Sequence, residues 1–105
     1  MKGYGAAWRY ESGFRQYTVI SALLFPVSFF IAQTLVHWIL LIASLVFVLF
    51  SEIVNSAVES VADALKPEYD PLIGRAKDLG SAGVFTALMF ALVVWSISFY
   101  QYFIG

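Results

Sequence analysis

Three long runs of apolar residues, separated by short polar stretches, dominate the pattern along this 105-residue chain. The runs cover about residues 17–36, 38–64 and 81–104. At 1.5 Å per residue, a helix of about 20 residues crosses the hydrocarbon core of a bilayer, which is about 30 Å thick. The pattern therefore predicts an all-α membrane protein with three transmembrane helices, in a single domain over residues 1–105.

The stretch before the first run, residues 2–16, mixes aromatic and charged side chains and predicts a short interfacial helix. On such a helix Trp8 and Glu11 share one face, and the aromatic ring would sit at the level of the lipid headgroups. The next two residues, Ser12 and Gly13, predict a bend into the first transmembrane helix.

The second run continues without a stop signal as far as Lys66-Pro67, because the residue before a proline is pushed out of the helical region. The second helix is therefore expected to have about 30 residues and a length of roughly 45 Å, which exceeds the thickness of the bilayer core. Asp70-Pro71 then predicts the start of the third helix, with aspartate as the N-cap and proline at the first helical position.

Four polar side chains at the end of the second run form one face of the predicted helix. At about 100° per residue they fall within an arc of roughly 80°; they are Glu52, Asn55, Glu59 and Asp63. A solvated helix end is sufficient to explain Asp63. It explains Glu52 poorly, because a carboxylate at the hydrocarbon boundary costs on the order of a few kcal/mol unless it is paired or hydrated. Glu52 is therefore a candidate functional residue.

Composition narrows the class of protein. Apolar residues make up 61% of the chain, charged residues make up 12%, and there is no cysteine, which excludes disulfides and thiolate zinc sites. A net charge of −1 gives no indication of nucleic-acid binding. All six basic residues flank the membrane spans on one side, so the positive-inside rule places the N-terminus inside and the C-terminus outside. These residues are Lys2, Arg9, Arg15, Lys66, Arg75 and Lys77.

The acidic face suggests metal and phosphate chemistry at the membrane interface. Glu52 and Glu59 with Asn55 between them offer hard oxygen ligands, which suit Mg²⁺, and Lys77 with Arg75 offers positive charge to a phosphate. No standard nucleotide-binding motif is present. A small oligomeric ion or drug transporter that uses Glu52 would satisfy the same carboxylate, although transport sites are expected nearer to mid-membrane.

Three sequence blocks resemble the prokaryotic diacylglycerol kinase family, and the resemblance spans essentially the whole chain. The blocks are Glu11-Ser-Gly-Phe-Arg-Gln16, Glu52-Ile-Val-Asn-Ser-Ala-Val-Glu59, and Pro67-Glu-Tyr-Asp70 followed by Gly74-Arg-Ala-Lys-Asp-Leu-Gly-Ser-Ala82. The last block is more similar to the diacylglycerol kinases than to the related undecaprenol kinases, which remain the alternative within the family.

The resemblance implies a homotrimeric enzyme of the bacterial cytoplasmic (inner) membrane that transfers the γ-phosphate of magnesium ATP to diacylglycerol, with active sites shared between subunits. It implies that Glu52 is the general base and that Glu11 and Glu59 hold Mg²⁺. The positions that it implies for ATP are Glu11, Glu59, Glu68, Tyr69, Asp70, Lys77 and Asp78. Those that it implies for the lipid substrate are Trp8, Glu52, Asn55 and Ser81.

Overall fold

The computed structural model describes residues 2–65 and 71–105, and in these ranges the protein is almost entirely helical. The four helices are α1 (Lys2–Tyr10), α2 (Ser12–Ile31), α3 (Leu35–Ala64) and α4 (Pro71–Phe103). Three of them, α2, α3 and α4, are long and apolar enough to cross a membrane. The predicted all-α class, with three spans and a short N-terminal helix, is confirmed.

The bounds of the first membrane helix differ from the prediction. α2 begins at Ser12 and ends at Ile31, so the apolar run predicted at residues 17–36 extends beyond the end of this helix. Glu11 has extended backbone angles, φ −115° and ψ 103°, and separates α1 from α2. The bend therefore lies at Glu11, one residue before the predicted Ser12-Gly13 pair. Hydropathy did not locate either end of α2, because its first turn is largely polar and apolar residues continue past its end at Ile31.

Two short-range caps form the connection between α2 and α3. The Ala32 N–H donates to Ser28 O at 3.0 Å and closes the last turn of α2. Thr34 is the N-cap of α3, with its side-chain oxygen accepting from the His37 N–H at 3.0 Å. Such a cap satisfies one of the N–H groups that an α-helix leaves free at its start. Because the connection is short and the two helices are in contact, α2 and α3 are antiparallel neighbours.

α3 has 30 residues, as predicted, and spans about 45 Å at 1.5 Å per residue. The predicted stop at Lys66-Pro67 and the N-cap Asp70 lie outside the described residues. α4 begins at Pro71, and its 33 residues include about ten before the apolar run predicted at 81–104. The long helices α3 and α4 pack along each other, and α2 packs mainly on α3.

The apolar core lies between α3, α4 and the end of α2, and is formed by Ile31, Leu41, Leu45 and Trp95. Two hydrogen bonds cross from α3 to α4 beside it. Trp95 Nε1 donates to Ser44 Oγ at 2.9 Å, and His37 Nε2 lies 2.7 Å from Ser98 Oγ. These polar contacts link the α3–α4 pair far from the acidic face.

Small residues recur every four positions on α4, at Gly83, Ala87 and Ala91, a spacing that lets membrane helices approach closely. In the structure, two of these three positions are packed. Ala87 is fully buried, and Ala91 packs against the core. A Cβ added at Gly83 would meet nothing within 4 Å. The packing surface of α4 therefore includes Ala87 and Ala91 but excludes Gly83 in a single chain.

Candidate functional site

The acidic face of α3 lies where the first turns of α2 and α4 meet that helix. Glu52 faces Gly13 of α2, Asn55 faces Gly80 of α4, and Asp63 pairs with Lys77 of α4. The side chains of the predicted face therefore contact two different helices, α2 and α4. The site is formed at the junction of all four helices, since Glu11 from the α1–α2 break joins it.

Glu52 is half-buried beside the first turn of α2. A Cβ added at Gly13 would stand 2.7 Å from Glu52 Oε1, a distance that real Cβ atoms do not show. The absence of a side chain at Gly13 thus allows the carboxylate to lie against the α2 backbone. Glu52 also interacts electrostatically with Glu59 and Glu11, so three carboxylates share one region of the molecule.

Asn55 is only 8% exposed and lies between α3 and α4. Its Nδ2 donates to Glu59 Oε1 at 3.2 Å, a bond between side chains four residues apart on the same helix. Its Oδ1 is buried and has no hydrogen-bond partner among the described residues. A buried polar atom without a partner is uncommon and calls for an explanation.

Glu11 lies at the break between α1 and α2, at the edge of a cleft of about 270 Å³ between α1 and α3. The hydroxyl-bearing residues Ser56 and Ser60 line the same cleft. Arg15 closes the end of α1, because its Nη1 donates to the carbonyl oxygens of Trp8 at 2.8 Å and Arg9 at 3.1 Å. These two hydrogen bonds stabilise the bend between α1 and α2, at which Glu11 lies.

Lys77 brings positive charge to the end of the acidic face, with its Nζ 2.9 Å from Asp63 Oδ1. The two side chains are 36% and 65% exposed, so water screens the pair. Trp8, Asp78 and Ser81 are exposed in the single chain. Glu68, Tyr69 and Asp70 lie outside the described residues.

The acceptor atoms near the junction are oxygens, the ligand type that hard divalent cations prefer, but in the part of the chain that the structure describes they do not gather into one metal-holding group. Glu11, Glu52 and Glu59 supply carboxylate oxygens, and the partnerless Asn55 Oδ1 is a further oxygen acceptor. Among residues 2–65 and 71–105 there is no group of three or more histidine, cysteine, aspartate or glutamate side chains that could by itself hold a metal ion. The described residues therefore bring oxygen acceptors near one another without forming an assembled metal site.

Sequence reasoning missed Gly13, Gly80 and Arg15 as parts of the site. An isolated glycine inside a helix pattern signals close approach of a neighbour, but α4 holds three glycines and the sequence does not distinguish them. Arg15 carries no comparable signal, because its role depends on where α1 ends. These residues emerge only from the packing of the helices.

The sequence as a whole is similar to several known proteins. The sequence matches the family described as Prokaryotic diacylglycerol kinase over residues 1–99. It is 41% identical over 95 residues to the diacylglycerol kinase of Haemophilus influenzae, covering 90% of this chain and 80% of that protein. It is 40% identical over 102 residues to the diacylglycerol kinase of Escherichia coli K12, covering 97% and 84%. With the diacylglycerol kinase of Pseudomonas aeruginosa it shares 38% identity over 96 residues, covering 91% and 78%.

Proposed function

Since this chain belongs to the prokaryotic diacylglycerol kinase family, we propose that it phosphorylates the primary hydroxyl of diacylglycerol in the membrane, using ATP, to give phosphatidic acid. The observation that carries a residue-level mechanism is the junction of four helices at which Glu11, Glu52 and Glu59 interact electrostatically. The polar side chains of this junction lie on helices that are long and apolar enough to cross the membrane. The site is therefore accessible both to a lipid in the bilayer and to a nucleotide in the water beside it.

Glu52 acts as the general base. It removes the proton from the lipid hydroxyl, the hydroxyl oxygen forms a bond to the γ-phosphorus, and the bond from that phosphorus to the β–γ bridging oxygen breaks to release ADP. Its half-buried place against Gly13 supports this role, because a carboxylate held at a packed helix junction has a defined position. Positioned general bases contribute typically ~10²–10⁴-fold to a rate.

Glu11 and Glu59 are the carboxylates that hold Mg²⁺. When bound, the cation neutralises charge on the triphosphate as the phosphoryl group transfers. The electrostatic repulsion that Glu59 and Glu11 exert on Glu52 supports the assignment, because a bound cation would relieve it. Asn55 fixes one of these ligands, because its amide donates to Glu59 Oε1.

Nucleotide and lipid contacts complete the site. Lys77 and Asp78 at the start of α4, with Glu68, Tyr69 and Asp70 before it, contact ATP, while Trp8, Asn55 and Ser81 lie near the lipid headgroup. Lys77 already stands at the acidic face through its bond to Asp63, which supports a role beside phosphates. Trp8, Asp78 and Ser81 are exposed in one chain, so their contacts require ligands or another subunit.

A homotrimer in the bacterial inner membrane, with the N-terminus in the cytoplasm, fits this exposure. One chain has principal dimensions of 53 × 28 × 19 Å, and it leaves Asp63 exposed and Glu52 and Glu59 only half-buried. The positive-inside rule orients the molecule, since the basic residues flank the α1 end. Chemical cross-linking in native membranes should yield a limiting trimeric species; a monomer at all cross-linker concentrations would contradict the shared site.

Transfer of radiolabelled phosphate from ATP into lipid tests the function directly. The wild-type protein in mixed micelles should label diacylglycerol in preference to undecaprenol, and Glu59→Gln should lower turnover by at least about 100-fold while the oligomer persists. Preferential labelling of undecaprenol would assign the chain to the other branch of the family. Proton or ion flux in liposomes without ATP consumption would instead support a transporter that uses Glu52.

A further inference from the structure

The orientation of the Asn55 amide is determined by its partner on α3. An ionised glutamate only accepts hydrogen bonds, so the Nδ2 group of Asn55 must face Glu59 Oε1, as observed at 3.2 Å. The Oδ1 atom then necessarily points the other way, toward α4. Because the side chain is 8% exposed, water does not fill the space beside it freely.

Gly80 of α4 provides the space into which Asn55 Oδ1 projects. A Cβ added at Gly80 would collide with that oxygen, and the three heavy atoms nearest to the added Cβ all belong to Asn55. The other two, Asn55 Cγ at 3.4 Å and Asn55 Cα at 3.7 Å, would be at ordinary contact distances. The collision is therefore with the amide oxygen, and the amide must turn to relieve it.

We propose that Gly80 is a positioning residue for the phosphoryl-transfer site, acting through Asn55 on Glu59. The missing side chain lets Asn55 adopt the orientation in which its amide holds Glu59 Oε1. Turning the amide to avoid a methyl group breaks this bond and frees the glutamate carboxylate. The proposal rests on the role given above to Glu59. Gly80, three positions after Lys77, acts through Asn55 and without contacting either substrate.

The activity test compares two glycines of the same helix. Gly80→Ala should lower kcat on the order of 10- to 100-fold, because small displacements of a catalytic group have effects of this size. Gly83→Ala is the matched control, since a Cβ there meets nothing within 4 Å, and it should keep wild-type turnover. Equal turnover of the Gly80→Ala and Gly83→Ala enzymes would overturn the proposal.

A spectroscopic readout separates positioning from activity. Asn55 is the only asparagine in the chain, so selective ¹⁵N-asparagine labelling gives one side-chain amide pair in an NMR spectrum of the protein in detergent micelles. Gly80→Ala should shift this pair and Gly83→Ala should leave it unchanged. An unshifted pair in Gly80→Ala would refute the contact. A shifted pair together with an active Glu59→Gln enzyme would instead refute the role of Glu59.

A double variant covers the case in which Gly80→Ala does not fold. Removing the Asn55 side chain beyond Cβ removes the atom that the new methyl meets. The Asn55→Ala/Gly80→Ala protein should therefore be as stable as Asn55→Ala alone, an interaction that a double-mutant cycle measures. A further loss of stability in the double variant would show that Gly80 packs against something other than Asn55, and the proposal would fail.

Discussion

The two ends of the α3–α4 pair differ in whether their buried polar atoms have hydrogen-bond partners. At the end that includes the start of α3, Ser44 both donates to Leu41 O at 2.7 Å and accepts from Trp95 at 2.9 Å. At the other end, Asn55 Oδ1 is buried without a partner in the described part of the chain, and carboxylates repel each other. One end is internally satisfied, and the other is not.

His37 illustrates the satisfied end. The Gln33 N–H donates to its Nδ1 at 3.1 Å, so the neutral ring carries its proton on Nε2 and donates to Ser98 Oγ at 2.7 Å. Ser98 in turn donates to Val94 O at 2.7 Å. The sole histidine thus joins the α2–α3 connection to α4. Both ring nitrogens are engaged in hydrogen bonds, which leaves the neutral imidazole no free lone pair for a metal ion.

The contrast indicates a division of labour along one pair of helices. Hydrogen bonds between membrane helices contribute about 0.6 kcal/mol on average and up to about 1.7 kcal/mol, so the satisfied end holds the pair together. Functional sites commonly keep unfavourable local arrangements that the rest of the fold stabilises. Changes at the two ends should therefore affect different properties of the protein.

The largest effect is expected at Glu52. Glu52→Gln should lower turnover by about 10²–10⁴-fold, because the amide cannot accept the hydroxyl proton. Thermal stability should stay the same or rise, since the substitution removes the charge that Glu59 and Glu11 both repel. Radiolabelled phosphate transfer and thermal unfolding in the same detergent measure the two properties. A destabilised Glu52→Gln protein would mean that this end also supports the fold.

Trp95→Phe should show the reverse behaviour at the satisfied end. The ring remains, but Ser44 Oγ loses the indole donor, which should lower the free energy of unfolding by about 1 kcal/mol. Turnover of the folded enzyme should remain near the wild-type value, because Trp95 lies far along α4 from Lys77. Tyr100→Phe, at an exposed position on the same helix, is the control. Loss of activity without loss of stability would remove the distinction between the ends.

The smallest change in stability is expected at the Asp63–Lys77 ion pair. Both side chains are substantially exposed, and exposed pairs contribute at most about 1 kcal/mol. Asp63→Asn should therefore alter stability only slightly, and the difference should disappear in high salt. If Lys77 contacts phosphate, the variant should change the KM for ATP more than it changes kcat. A large salt-independent loss of stability would show that the pair is structural.

Several features of the site follow from local sequence patterns. Helical periodicity alone placed Glu52, Asn55, Glu59 and Asp63 on one face, and hydropathy identified three spans. Pro71 marked the start of α4. These inferences rest on the repeat of the helix and on the cost of placing polar groups in lipid, which depend only on nearby residues.

The sequence alone thus determined the helical class, the number of spans and the membership of the acidic face. The tertiary structure decided which side chains of that face meet which helix. In the tertiary structure α2 ends at Ile31, inside an apolar run, and the break at Glu11 lies beside the junction. Gly13 packs against Glu52, and Gly80 packs against Asn55. The physical reason is that helix register and close approach depend on atoms distant in the chain, whereas periodicity and hydropathy depend on near neighbours.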